Sequence, residues 1–85
     1  MSVVMVRKTP DVEEAIQYTG LNSDEVGKFV GEGESYLNYK NQVIIRTLGR
    51  TLEADPGDWI IKDVNNRFHV RSTDIFEMIY DILED

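Results

Sequence analysis

Apolar positions in this chain fall mostly in short β-branched runs or alternate with polar ones, which is strand spacing, and only twice recur at helical spacing. Val3-Val4-Met5-Val6 predicts a first strand, which Thr9-Pro10 interrupts because proline offers no N–H. Val12–Thr19 is read as a second strand from the alternation of Ile16 and Tyr18 about Gln17, although Glu13-Glu14-Ala15 would also suit a helix. After Gly20, Asn22 or Ser23 caps a short helix, with Asp24 and Glu25 at its positive end. Val26, Phe29 and Val30 form its apolar face, and Gly31 and Gly33 end it.

Glu32–Ser35 reads as a loop, and Tyr36–Tyr39 as a frayed strand. Val43–Leu48 is a clear strand, turned by Gly49-Arg50 into Thr51–Ala54. Asp55-Pro56-Gly57-Asp58 is a strong turn, with proline presetting φ and glycine accepting positive φ after it. Trp59–Lys62 and Arg67–Arg71 then pair through Asn65-Asn66, which puts Arg67, His69 and Arg71 on one face. Ser72-Thr73-Asp74, with Glu77 three residues after Asp74, resembles a capping box. Ile75, Phe76, Ile79, Ile82 and Leu83 would then face a core. One alternative stays open, in which a single helical turn ends at Glu77 and Met78–Leu83 is a strand. The expectation is one α+β domain over residues 1–85: a small antiparallel sheet of hairpins, one short helix, and a C-terminal helix or helical turn.

Composition narrows the functions. The chain carries 16 acids against 9 bases, a net charge of −7, which opposes general binding to a nucleic-acid backbone. Residues 11–34 and 72–85 hold local charges of −6 and −5, whereas residues 46–71 carry five of the bases. No cysteine is present, which excludes a thiol nucleophile, a disulfide framework and a thiolate metal site. With no apolar run near ~20 residues and no secretory pattern, a cytoplasmic location is expected. A chain this short has a marginal core, so a homo-oligomer is also expected.

Candidate chemistry is sparse. One histidine, His69, cannot make a two-histidine metal motif, and no serine sits in a strand–elbow–helix context. Gly31-Glu32-Gly33-Glu34 lacks the third glycine, the base and the helix of a phosphate loop. Asp55 and Asp58 are explained by their turn. No catalytic constellation, cofactor site or metal site emerges, so the chain reads as a binding protein and not an enzyme. Arg46, Arg50, Arg67, His69 and Arg71 fall on neighbouring strands or turns, with Tyr36, Tyr39 and Trp59 as stacking candidates. Guanidinium groups fit phosphate and aromatic faces suit a base, so these eight residues are the candidate ligand site for a small nucleotide. The alternative is structural: the arginines pair with Glu53, Asp58 and Asp63 while Trp59 plugs the core.

Residues 52–64, with Pro56-Gly57-Asp58-Trp59-Ile60-Ile61-Lys62 at their centre, then Phe68 and Thr73-Asp74-Ile75-Phe76-Glu77, resemble a group of small phage and prophage proteins. Arg7-Lys8-Thr9-Pro10, residues 12–20 and Phe29-Val30-Gly31 extend the resemblance over most of the chain, with residues 35–50 the least constrained. Asn65-Asn66 stands where the group has a Gly-containing turn, and His69–Ser72 replaces a Pro- and Cys-containing segment, so no role for that cysteine carries over. The group has no established activity to transfer. The resemblance implies phage origin, and small phage accessory proteins often block host defence. The leading expectation is therefore a non-catalytic antagonist in the host cytoplasm that sequesters a nucleotide-type immune signal. The alternative is an acidic protein–protein inhibitor of a host defence or nucleic-acid enzyme.

Overall fold

In a computed structural model, residues 3–8, 11–31 and 33–83 are described. The predicted interruption at Thr9-Pro10 and the loop position Glu32 lie outside them. The order is β1 (Val3–Lys8), β2 (Asp11–Gln17), α1 (Ser23–Val30), β3 (Ser35–Leu37), β4 (Val43–Thr47), β5 (Arg50–Ala54), β6 (Trp59–Lys62), β7 (Phe68–Arg71), α2 (Thr73–Ile79) and β8 (Asp81–Leu83). These strands form two antiparallel sheets, β7-β6-β2-β1-β8 and β3-β4-β5. The α+β expectation of one small sheet is thereby corrected to a mainly β fold. Its helices are short, and two of its strands, β3 and β8, have three residues each.

Alternation on β2 explains the layers. Ile16, with Tyr18 just beyond the strand, points to one side of the five-stranded sheet, where Val26 and Val30 of α1 and Val43, Ile45 and Ala54 of the smaller sheet complete a core. Ala15 points to the other side, where Val6 and Ile61 meet Phe76 and Tyr80 from the C-terminal helix and its end. The two sheets are tied by the Asp55–Asp58 turn. Tyr18 N–H donates to the Asp58 carbonyl at 2.9 Å, and Gly57 N–H donates to the Tyr18 carbonyl at 2.6 Å. Gly57 holds φ +100°, as the Pro-Gly reading requires. Both aspartates serve this corner. Asp58 Oδ2 accepts the Asp55 N–H at 2.9 Å, and Asp55 Oδ1 accepts Gln42 Nε2 at 2.8 Å.

Both cap expectations change. Asn22 precedes α1 but makes no side-chain cap bond. Its Oδ1 accepts the Thr19 N–H at 2.8 Å, and its Nδ2 donates to the Gln17 carbonyl at 3.0 Å, so it braces the bend out of β2. Ser72 precedes α2, which shifts Asp74 into the first turn and leaves no capping box. Thr73 Oγ1 instead donates to the Gly57 carbonyl. Ile75, Ile79 and Ile82, expected in the core, are 44%, 40% and 46% exposed, and Phe76 is the fully covered side chain of the helix. A two-turn helix on a sheet can bury only one narrow stripe. Neither described helix is long and apolar enough to cross a membrane.

Tyr80 lies against the buried Glu13, whose Oε1 has no hydrogen-bond partner. Burial, and then the Glu13 carboxylate, push the Tyr80 hydroxyl up to about 12 from an ordinary 10.0. Burial also raises Tyr18. Because the folded values exceed the unfolded ones, this stabilisation is full below pH 10.0 and is lost as pH climbs through about 12. Urea titrations between pH 10 and 12 are expected to show a smaller alkaline loss for Tyr80→Phe than for the parent chain.

Candidate functional site

The β6–β7 hairpin is fixed by one carboxylate. Asp63 Oδ1 accepts the N–H groups of Asn65 at 2.8 Å and Arg67 at 2.9 Å, while Oδ2 meets His69 Nε2 at 2.9 Å. Asn66 takes φ +62°, which asparagine tolerates. The hydrogen bond from His69 and then the two backbone N–H groups hold the Asp63 carboxyl below its usual value, against the opposing effect of burial. Asp63→Ala is expected to lower stability by about 1 kcal/mol, since it removes three hydrogen bonds, two of them from exposed backbone N–H groups that water can serve. Chemical denaturation with unchanged melting would contradict this.

That hairpin faces a second one. The β4–β5 turn at Leu48-Gly49 is closed by Thr47 Oγ1 donating to the Arg50 carbonyl at 2.7 Å. Between the two hairpins and the end of α1 lies an open cleft of about 730 Å³. Val30, Ile45 and Phe68 supply its apolar lining, and Thr47 and Asn66 add polar groups. Arg46, Arg50, Arg67 and His69 also line it, and Glu34 is its single acid. The cleft is thus locally basic on a chain of net charge −7.

Four of the eight predicted site residues therefore converge here. The other four do not line the cleft. Arg71 pairs with Trp59 across the ladder, and its Nη1 donates to the Val70 carbonyl at 2.9 Å. Trp59 stacks on Phe76, with ring centroids 4.1 Å apart and planes 2° from parallel, so its face is already occupied. Tyr36 sits on β3 with the Arg46 guanidinium 5.4 Å from its ring centroid. Tyr39 lies exposed in the β3–β4 turn beside Lys40. The structural alternative is met only by Trp59. Among the described residues, Arg46, Arg50 and Arg67 have no carboxylate at ion-pair distance, and Asp63 is taken by His69.

Sequence reasoning missed Phe68 and Glu34. Phe68 contacts Phe29 edge-on, with ring centroids 6.0 Å apart, and alternates in sequence with Arg67 and His69. Its place on an edge strand leaves it partly exposed. Glu34 carries no local signal, since its position depends on the return from α1. Among the described residues, no three histidine, aspartate or glutamate side chains are grouped to hold a metal ion. The arrangement offers donors for an anion and an apolar surface beside them. Comparison with known proteins finds no matching family, curated protein or solved structure.

Proposed function

We propose that this chain is a non-catalytic binding protein that holds a small nucleotide-type anion in the cleft between its β4–β5 and β6–β7 hairpins. The observation carrying this reading is the convergence of three guanidinium groups that lack carboxylate partners among the described residues. Unpaired arginines beside an apolar wall suit a phosphate attached to a flat ring. Phe68 offers the ring a surface, and Glu34 offers an acceptor to an amine or hydroxyl on the same ligand. An inorganic ion leaves the apolar wall of Val30, Ile45 and Phe68 without a partner, which favours a nucleotide.

Sequestration needs affinity and copy number alone, and it suits a site made of donors and an apolar wall. The resemblance of the Pro56–Lys62 region to small phage proteins supports a role in an infected host's cytoplasm, where a captured nucleotide signal no longer reaches its receptor. Calorimetry with inorganic pyrophosphate, ADP, a cyclic dinucleotide and an uncharged nucleoside tests the reading. Binding is expected for at least one phosphorylated nucleotide, weaker binding for pyrophosphate, and none for the nucleoside. Absence of heat with every phosphorylated compound would overturn it.

A further inference from the structure

On the side of the five-stranded sheet away from the cleft's apolar lining, α2 carries more apolar surface than the sheet covers. Phe76 is packed into the core, and Tyr80 at the helix end is buried with it. Ile75, Met78 and Ile79, spaced i, i+3 and i+4, form a second stripe on the same helix. Met78 is 81% exposed, and Ile82 of β8 lies on this side of the sheet beside Val6. Asp74 and Glu77 are exposed on this helix, while Asp81 lies opposite Arg7 and faces the other side of the sheet, and residues 72–85 contain no lysine or arginine.

We propose that this stripe docks a protein segment whose own apolar side chains are bordered by lysines or arginines. Charge complementarity selects that partner. A second copy related by a two-fold axis would bring Asp74 and Glu77 of the two helices against one another, with no base in the helix to meet them. Edge pairing between copies is also opposed, because β8 has only three residues and begins with an aspartate. Four side chains, three of them less than half exposed, fall short of the ~800 Å² per partner of a stable dimer. They match one amphipathic helix. Methionine suits such a surface, since its flexible thioether adapts to differing contacts.

The probe is a synthetic helical peptide with a leucine stripe flanked by lysines, titrated into the isotopically labelled full chain and followed by amide NMR. Two controls are a scrambled peptide with no stripe and the same stripe flanked by glutamates. The leucine–lysine peptide is expected to shift amides of α2 and β8 and to bind at least tenfold more tightly than either control. Met78→Ser with Ile75→Ser, and separately Asp74→Asn with Glu77→Gln, are each expected to weaken it at least tenfold. Unchanged melting of the charge-neutralised variant separates lost docking from lost folding. The proposal is overturned by shifts centred on α1, by equal binding of the scrambled peptide, or by variants that bind like the parent. Self-association removed by Met78→Ser would overturn it in favour of a second copy. Equivalent shifts with zwitterionic lipid vesicles would do so in favour of a membrane.

Discussion

Phe76→Ala is expected to lower the urea midpoint of unfolding sharply. Phe76 is 1% exposed and lies between Trp59, at a centroid distance of 4.1 Å, and Tyr80, at 5.2 Å. Truncating a buried phenylalanine costs about 3–5 kcal/mol through lost transfer energy and the cavity left behind. The vacancy cannot close easily, because Trp59 and Ile61 are held on β6 by their ladder with β2. A domain of this size has roughly 4–13 kcal/mol in all. The loss is therefore a large share of the total, and it falls on the contact that fastens α2 to the sheet. Urea denaturation followed by tryptophan emission checks this directly, as Trp59 is the sole tryptophan and half of the stack. A shift below about 1 kcal/mol would mean that the second core contributes little. Phe76→Leu keeps most of the volume and is expected to cost less.

The second large effect concerns the cleft. Each guanidinium that donates to a phosphate contributes about 1.5–3 kcal/mol, or roughly 10- to 100-fold in affinity. Arg50→Ala combined with Arg67→Ala is expected to weaken nucleotide binding by ~100-fold or more, with little change in melting because both side chains are exposed. Arg71→Ala is the control, since it removes one positive charge from a residue outside the cleft lining, and half the double variant's loss is the most that general electrostatics would give it. Calorimetry on the three proteins separates local recognition from general electrostatics. A control loss of half the double variant's or more, in free energy, would contradict the site, and so would no loss in the double variant.

Several elements were readable from residues alone because their signals are local. Pro56-Gly57 fixes its turn, Asn65-Asn66 its hairpin, and Val26, Phe29 and Val30 their helix face, and all three stand in the structure. The division into two sheets was not readable. It depends on which strand finds which neighbour, and β6 skips over the three-strand unit to pair with β2. The C-terminal ambiguity resolves into parts of both alternatives, a helix to Ile79 followed by a short strand. Its pattern of isoleucines suits either form, because the side chains at positions 75, 79 and 82 are only partly covered. Of the candidate site, Arg46, Arg50, Arg67 and His69 line one cleft, and their nearness follows from the adjacency of two hairpins that sequence spacing suggests. Which aromatic ring lies beside the arginines is not legible, because exposure of an aromatic ring is a tertiary property. Trp59 is consumed by Phe76, whereas Phe68 gains access from the edge position of β7.

A basic cleft on an acidic body has a kinetic consequence. An approaching anion first meets the repulsion of sixteen carboxylate side chains, and only near contact does it feel the arginines. Dissolved ions shorten the reach of charge to about 10 Å at 0.1 M, which mutes distant groups before neighbouring ones. Under the proposed function, capture is therefore expected to quicken as dilute buffer is enriched with salt and to slow again once the guanidinium–phosphate contacts are themselves weakened.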